Sequence, residues 1–476
     1  MKKIYFVTSS IEKYEETKKF FDYPERELEL YEETIDELQT ENVEVLIKKK
    51  AFEAYQKIRR PLIVEHTALY IDAFENLPGL QTSHFYSCLG CEGIVDFCKY
   101  KSNFQACVES IFCFCDGKRY ILGKGREEGR ISADVDYSIK EAFAWDRIFV
   151  PIKDNPKKYT YNLLKSENPL RSMRGKAWEE LKQGMQDILE EDIDINIDKD
   201  LSELVDLIKK RKVMLFVGAG ISASVGLPNW DKLISHLGDE EGFESDLFKS
   251  HGNNMLLAEY IENNEKDKVY DLLKNMMDIE GNPSLRNKLE DSEVYQIITE
   301  LNFPVIYTTN FDHLIEEYFK IKGHKINKVV DINDMINLDS DEECTRIMKF
   351  HGDIDNRKSI VLTESQYFKR MDFKSFMDIQ LQADMLRYNI LFLGYSLSDI
   401  NVKFLLYSVQ KQWKKEQKAF IYTATPNQIQ KEVYAKKKII AFSDGSADKQ
   451  KGTLDFLKKL YRSVKEKEDD TNLDIL

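Results

Sequence analysis

The stretch VMLFVGAGIS, from Val213 to Ser222, decides the fold of the second half of this 476-residue chain. Its five leading apolar residues are typical of a strand that is buried on both faces of a parallel sheet. The strand ends at Gly218 and Gly220, where backbone without side chains can approach a phosphate group closely. Two glycines at this spacing also occur in ordinary tight turns, so the stretch alone predicts only a strand and a turn.

Four more short apolar runs follow this strand, and helical patterns separate them. The runs are PVIYTTN (304–310), RIMKFHG (346–352), YNILFLGYS (388–396) and QKAFIYTAT (417–425). Strands that alternate with helices predict an α/β fold with a parallel sheet and helices on both faces. Residues 231–300 are mainly helical in pattern, so we expect a helical insertion there.

Polar or glycine residues end three of the predicted strands. They are Asn310 with Asp312, His351 before a glycine, and Asp399 after the glycine–tyrosine–serine turn. Ligands of doubly wound sheets bind at the carboxyl ends of the strands, so these residues are candidates for a site. Structural roles stay open at this stage. Asn310 and Asp399 can each cap the helix that follows, and His351 can serve in a turn.

These motifs, in this order over residues 200–440, resemble the sirtuin family in its bacterial NAD-hydrolysing branch. The resemblance implies a Rossmann-like domain that cleaves the bond between nicotinamide and ribose. It implies that Asn310 orients a water or a ribose hydroxyl, that Asp312 supports its loop, and that His351 is a general base or a ribose partner. The residues that it assigns to NAD binding are Gly218, Ala219, Gly220, Ser222, Thr309, Gly394, Ser396 and Asp399.

The second half departs from sirtuin deacylases in three places. It has Cys344 as its single cysteine where deacylases carry a four-cysteine zinc ribbon. The segment after His351 lacks the FGE-type sequence, and Asn229-Trp230-Asp231 replaces an acidic–aromatic–arginine run. We therefore predict NAD hydrolysis to ADP-ribose and nicotinamide, without deacylation and without zinc. In the first half, Cys88 and Cys91 have a metal-like spacing, but no second such pair accompanies them, which favours buried thiols.

The first half resembles the inosine triphosphate pyrophosphatase (Ham-type) family. The matching segments are FVTSSIEKYEE, LIVEHTALYIDAFENLPG, EAFAWDRIF and PLRSMRGKA, which together span most of residues 1–180. The resemblance implies a mixed-sheet domain that binds a non-canonical purine triphosphate, with an aromatic residue of the FxWD run stacked on the base. It assigns nucleotide contacts to Thr8, Ser9, Ser10, Lys13, Lys50, His66, Phe143, Trp145, Asp146, Ser172 and Arg174. Glu37 lies near the glutamate with which the family binds Mg²⁺.

The hydrolytic residues of that family are altered here. His66 stands where the family has an aspartate that acts with Mg²⁺, and histidine is a poor Mg²⁺ ligand. Ser10, Met173 and Asn168 replace an asparagine, a histidine and a lysine. We therefore expect a nucleotide-sensing domain that cleaves its ligand slowly or not at all. Two alternatives stay open: an active pyrophosphatase that uses Glu65 or Glu37, and a remnant that binds nothing.

The acidic segment LEEDIDINIDKD (189–200) marks the change of composition between the halves. We place the domains at 1–190 and 191–476. Their combination predicts a nucleotide-gated NAD hydrolase that resembles anti-phage effectors acting by abortive infection. The alternatives are a bifunctional housekeeping enzyme with pyrophosphatase activity and a non-catalytic sensor of NAD or ADP-ribose.

The composition of the whole chain limits its partners. The net charge is −14, which argues against nucleic-acid and membrane-surface binding. No run of 18 apolar residues is present, and the apolar part of MKKIYFVTSS is too short for a signal peptide. We expect a cytoplasmic homo-oligomer whose activating nucleotide can come from a separate enzyme.

Overall fold

A computed structural model of the chain divides it into two units, residues 1–194 and 195–476. Two residues assigned to sites by the sequence, Phe143 and Ser396, lie outside the described residues. The structure describes residues 2–24, 26–138, 144–168, 170–190, 197–338, 344–395, 397, 399–413, 417–424, 428–443 and 448–473.

The first unit begins with alternating strands and helices and continues with a long hairpin. Its strands are β1 (Lys2–Thr8), β2 (Arg26–Glu32), β3 (Leu62–Ile71), β4 (Leu77–Gly79), β5 (Gln105–Cys115), β6 (Tyr120–Ile131) and β7 (Phe149–Pro151). Its helices are α1 (Ile11–Phe20), α2 (Val43–Ile58), α3 (Thr82–Lys101), α4 (Tyr161–Glu167) and α5 (Met173–Glu190).

These strands form one mixed sheet in the order β2-β1-β3-β5-β6-β7, with β4 paired to β3. Strand β1 pairs in parallel with β2 and β3, whereas the remaining neighbours are antiparallel. The mixed sheet that the resemblance implied is confirmed.

Strand β5 is buried on both faces because a helix covers each of them. Phe112 and Phe114 pack with Trp178 of α5 on one side. Cys113 and Cys115 point to the other side, where they pack against α2. All seven cysteines of the chain are free thiols. Of the two with metal-like spacing, Cys91 is buried as expected, whereas Cys88 is exposed.

The second unit alternates strands and helices except between β8 and β9, where several helices follow one another. Its strands are β8 (Val213–Val217), β9 (Val305–Thr308), β10 (Ile326–Val329), β11 (Thr345–Lys349), β12 (Asn389–Leu393), β13 (Ala419–Tyr422) and β14 (Ile439–Phe442). Its helices are α6 (Ile197–Lys209), α7 (Ala219–Ala223), α8 (Trp230–Glu240), α9 (Ser245–Ser250), α10 (Asn254–Asn264), α11 (Lys266–Met277), α12 (Pro283–Glu290), α13 (Glu293–Glu300), α14 (Leu314–Ile321), α15 (Ile332–Ile336), α16 (Glu364–Lys369), α17 (Phe376–Arg387), α18 (Ile400–Gln410), α19 (Gln428–Ala435) and α20 (Lys449–Leu473).

All pairings in this second sheet are parallel, and the order is β10-β11-β9-β8-β12-β13-β14. Strand β8, from which the sequence analysis started, is central and completely buried. Helices α8 to α13 form the expected insertion between β8 and β9. The predicted doubly wound α/β fold is therefore confirmed. No helix in the described part of the chain is long and apolar enough to cross a bilayer.

Candidate functional site

In the second unit, the carboxyl ends of β8, β9, β11 and β12 open onto a cleft of about 650 Å³. This volume lies within the range of pockets that bind small molecules and cofactors. A groove of about 850 Å³ elsewhere in the unit contains none of these strand ends, so we place the candidate site in the smaller cleft. The sequence-assigned residues that line the cleft are Ala219, Ser222, Thr309, Asn310, Asp312, His351, Gly394 and Asp399.

The loops after β8 and β12 lie in direct backbone contact beside this cleft. The amide of Gly218 donates to Leu393 O at 3.0 Å, and the amide of Gly220 donates to Gly394 O at 3.0 Å. A side chain at either glycine would overlap the Gly394 loop, and Gly394 itself has a φ of +61°. In this structure, these two glycine amides bond to protein carbonyls, and the glycines allow the two loops to pack closely.

A chain of hydrogen bonds fixes the side chain of Asn310. Its Nδ2 donates to Ser222 Oγ at 2.9 Å, and Ser222 Oγ donates to Asp312 Oδ2 at 2.8 Å. Ser222, which the sequence assigned to cofactor binding, therefore orients Asn310 here. Because the amide nitrogen of Asn310 is engaged, its Oδ1 is the atom left to accept from a water or a hydroxyl.

Asn310 does not cap the helix that follows it. Helix α14 begins at Leu314, whose amide donates to Asp312 Oδ1 at 3.1 Å. The buried Lys349 ammonium bonds the backbone carbonyl of Asp312 and lies 3.1 Å from Glu316. Asp312 thus contacts Ser222, the start of α14 and Lys349, all beside the loop that carries Asn310.

His351, Asp399 and Tyr367 form a buried polar cluster at the edge of the cleft. The hydroxyl of Tyr367 lies 3.2 Å from His351 Nδ1 and 3.2 Å from Asp399 Oδ2. The other oxygen of Asp399 accepts from the amides of Asn401 and Val402, at 2.9 and 3.0 Å. Asp399 therefore caps helix α18, which the sequence had left open. Its Oδ2 atom faces His351.

The surroundings of His351 keep its imidazole neutral. Burial lowers the pKa of His351 to about 4, and the nearby Asp399 carboxylate only partly opposes this. Burial also raises the pKa of Tyr367, and Asp399 raises it further, so this tyrosine keeps its proton at neutral pH. The cleft therefore combines an amide oxygen, a neutral imidazole and a carboxylate within one low-dielectric site.

In the first unit, internal carboxylates pair with the cations that the sequence assigned to a nucleotide. Lys13 Nζ lies 2.8 Å from Glu65 Oε2, and Lys50 Nζ lies 2.9 Å from Glu37 Oε1. The completely buried Arg174 contacts both Glu65, at 3.2 Å, and Glu16. A phosphate ligand must therefore compete with protein carboxylates for these cations.

Glu65 is the centre of this buried network. It accepts from Ser110 Oγ at 2.9 Å and from the hydroxyl of Thr67, in addition to its contacts with Lys13 and Arg174. Burial alone would raise the pKa of Glu65, but the two cations hold it well below its ordinary value. A carboxylate that already contacts four donors is a poor general base, because a water would have to displace one of them.

Glu37 and His66 form a second pair beside Lys50. His66 Nδ1 lies 3.2 Å from Glu37 Oε1. Burial opposes ionisation, but the His66 hydrogen bond and the Lys50 charge bring the pKa of Glu37 to about 2. A Mg²⁺ ion at Glu37 would have to replace these contacts. Within the described residues, the one group of three clustered metal-ligand side chains is elsewhere, at His313, Asp353 and Asp355.

Trp145, one of the two aromatic residues of the FxWD run, is part of the core of the first unit. The side chain is 2% exposed and packs edge to face against Phe149 in the core, with the two ring centroids 6.1 Å apart. It therefore cannot stack on a base without opening that core. Asp146 is also buried, and its carboxylate lies 2.7 Å from Lys165 Nζ.

The remaining predicted nucleotide contacts lie at helix starts in the first unit. Thr8 Oγ1 accepts from the Ser10 amide at 3.1 Å, and Ser10 Oγ accepts from the Lys13 amide at 3.3 Å. Ser9 is exposed beside them. Ser172 is buried, and its Oγ accepts from the Gly175 amide at 3.2 Å. Ser10 and Ser172 thus cap the helices that follow them. Ser9, at the tip of the loop 8–10, remains exposed to solvent.

Several residues of both sites were not identified from the sequence. Glu16 and Lys165 join the ion network of the first unit, and Tyr367 and Trp230 line the cleft of the second. One signal was available for Tyr367. Thr363 and Gln366 form a capping box, which places Tyr367 in the first turn of α16.

Each half of the chain matches a known family model. The Ham1 family model matches residues 4–184, and the SIR2-like domain model matches residues 304–442. The fold and the two sites define a two-unit α/β protein with a mixed-sheet unit followed by a doubly wound unit. The chain belongs to the Ham1 family and also carries a SIR2-like domain. The resemblances drawn from the sequence are thus confirmed.

Three curated relatives illustrate these matches. The chain is 30% identical over 215 residues to NAD(+) hydrolase ThsA of Enterococcus faecium, covering 45% of this chain and 43% of the relative. It is 32% identical to inosine triphosphate pyrophosphatase 2 of Trypanosoma cruzi, covering 31% of this chain and 74% of the relative. It is 24% identical to Defense-associated sirtuin 2 of Bacillus subtilis, covering 57% of this chain and 27% of the relative. The chain thus spans less than half the length of the ThsA relative.

Proposed function

We propose that the chain is a nucleotide-gated NAD hydrolase of bacterial defence. The observation that carries the proposal is the convergence of Asn310, His351 and Asp399 on one cleft at the strand ends of the SIR2-like unit. The similarity to NAD(+) hydrolase ThsA supports NAD as the substrate. The similarity of the first unit to inosine triphosphate pyrophosphatase 2 supports a purine triphosphate as the gating ligand.

The proposed reaction breaks the bond between nicotinamide and ribose. Water supplies the hydroxyl group that ends on the ribose carbon, nicotinamide leaves with the electron pair of the bond, and one proton is released. The Oδ1 atom of Asn310 orients the water, since Ser222 fixes the other end of the amide. The neutral His351 then accepts a proton from the water or from a ribose hydroxyl.

The first unit is proposed to bind a purine triphosphate of the inosine or deoxyinosine type without cleaving it. Three observations support this. His66 replaces the metal-binding aspartate, Glu65 is held by four donors, and Glu37 is paired with Lys50 and His66. Neither glutamate is free to activate water, which weakens the alternative of an active pyrophosphatase.

The test is an assay of NAD loss by the purified full chain in four conditions: no nucleotide, ATP, inosine triphosphate and deoxyinosine triphosphate. We expect nicotinamide release only with the inosine-type nucleotides, and no release of pyrophosphate from them. Equal NAD loss without any nucleotide would contradict gating. Rapid pyrophosphate release would instead indicate the bifunctional enzyme. Binding of NAD without loss in all conditions would favour the non-catalytic sensor.

A second prediction concerns pH. Because burial lowers the pKa of His351 to about 4, we expect the rate of NAD cleavage to be nearly constant from pH 8 down to about pH 5.5. An exposed histidine base would instead lose activity as the pH falls through about 6.5. Initial rates at saturating NAD, with circular dichroism to verify folding at each pH, distinguish the two. An inflection near pH 6.5 in the folded protein would contradict a histidine base whose pKa is lowered by burial.

A further inference from the structure

The position of Tyr367 relative to His351 has a consequence for the SIR2-like site. The hydroxyl of Tyr367 reaches His351 Nδ1 and Asp399 Oδ2 at 3.2 Å each, and the two rings meet edge to face at 5.1 Å. His351 follows β11, whereas Asp399 precedes α18. The hydroxyl of Tyr367, on helix α16, therefore connects His351 after β11 with Asp399 after β12.

The second nitrogen of His351 has no comparable partner. His351 Nε2 lies 3.1 Å from Asp399 Oδ2, but the alignment is not that of a hydrogen bond, and the buried atom lacks one among the described residues. The guanidinium of Arg370 donates to the backbone carbonyl of Phe350 at 2.7 Å rather than to the imidazole of His351. Within the part of the chain that the structure describes, Tyr367 thus provides the hydrogen bond that holds this ring.

The position of Tyr367 is itself set by contacts outside the sheet. Helix α16 starts at a capping box, and its residues Ser365 and Gln366 bond Glu259 and Glu262 of α10. The amide of Ser365 donates to Glu259 at 2.9 Å, and Gln366 Nε2 lies 3.2 Å from Glu262. The helical insertion therefore fixes the tyrosine and, through it, the imidazole.

We propose that Tyr367 is a positioning residue for NAD cleavage, whose hydroxyl fixes the ring orientation of His351 and the nitrogen that carries its proton. The proposal rests on the proposed function of the same cleft. A neutral imidazole carries its proton on one nitrogen or the other, and the hydrogen bonds to the ring decide which. Only the unprotonated nitrogen can accept a proton from the substrate, so the tautomer affects the rate more than the affinity.

The test compares the kinetics of Tyr367→Phe with those of the unsubstituted protein in the presence of the activating nucleotide. Because a hydrogen bond within a charged cluster is lost, we expect kcat to fall about 10- to 100-fold while KM changes by less than about threefold. Tyr307→Phe is the matched control. Its hydroxyl also donates to a buried carboxylate, Asp384 at 2.8 Å, but Tyr307 does not line the cleft. The control should leave kcat unchanged.

A spectroscopic arm separates this proposal from the proposed function. The chain has seven histidines, so selective ¹⁵N-histidine labelling gives few signals, and His351→Gln identifies those of His351. We expect one tautomer in the unsubstituted protein and averaged ¹⁵N shifts in Tyr367→Phe, even if no condition yields NAD cleavage. Unchanged shifts, or a kcat within twofold of the unsubstituted protein, would overturn the positioning role.

Discussion

Replacing Asn310 with alanine is expected to lower the rate of NAD cleavage at least 100-fold while leaving the fold intact. The side-chain amide of Asn310 donates to Ser222, which in turn donates to Asp312. These two hydrogen bonds fix the orientation of the amide oxygen in the cleft. Removing one oriented polar group from an enclosed site typically costs 10²- to 10³-fold in rate. Nicotinamide release, followed by liquid chromatography with the activating nucleotide present, measures the effect.

The control for this variant is Asn333→Ala, which removes the same side chain from an exposed position on α15. It should retain full activity. Thermal unfolding of both variants should match that of the unsubstituted protein within a few degrees. If Asn310→Ala retains more than a tenth of the rate, the orienting role of this amide is wrong, whatever the nucleotide dependence.

The largest expected effect on stability is that of Glu65→Ala in the first unit. The substitution removes the carboxylate that the partly buried Lys13 shares with the completely buried Arg174, and it leaves Glu16 as a counter-ion of Arg174. Breaking a buried ion pair from one side typically costs about 3–5 kcal/mol, because the remaining charge is uncompensated. Hydrogen exchange, resolved by peptide, reports the two units separately. We expect faster exchange in β3 and β5, with the second unit unaffected.

Glu33→Ala provides the comparison for this loss. Glu33 pairs with Lys57 at 2.7 Å, but both side chains are partly exposed, at 33% and 49%. Pairs of this kind typically contribute about 0–1 kcal/mol. Equal exchange rates in the two variants would mean that the Glu65 network does not stabilise the unit.

The strands that the sequence predicted in the second unit are the ones with continuous apolar runs. Strand β8 is buried at every position, as is β12. The two strands at the edges of the sheet, β10 and β14, were not identified. In β10, only Val329 is buried, so the sequence INKV has no pattern that separates a strand from a loop. An edge strand is specified by its neighbour more than by its own residues.

The site in the second unit was largely predictable because strand ends fall close together by topology alone. The sequence alone places Asn310, His351 and Asp399 at one edge of a parallel sheet. Tyr367 could not, since it lies on a helix and reaches the cleft only through the packing of α16.

In the first unit, the sequence indicated which cations are present but not what they bind. Glu16 and Arg174 are far apart in the chain and meet only in the folded unit. Trp145 fits a family motif, yet the environment that buries it comes from β7 and α4. Burial of a charge or a ring depends on such distant partners, which local patterns do not specify.

The order of the second sheet also has a consequence for synthesis. Strand β8 is made first, but its neighbours β9 and β12 leave the ribosome only after the helical insertion and most of the remaining chain. The cleft needs residues from Ala219 to Ile400, so an incomplete nascent chain cannot assemble it. Domains generally fold in the order of their synthesis. The first unit is therefore complete before the cleft can form, and a chain that ends before β12 lacks one side of the cleft.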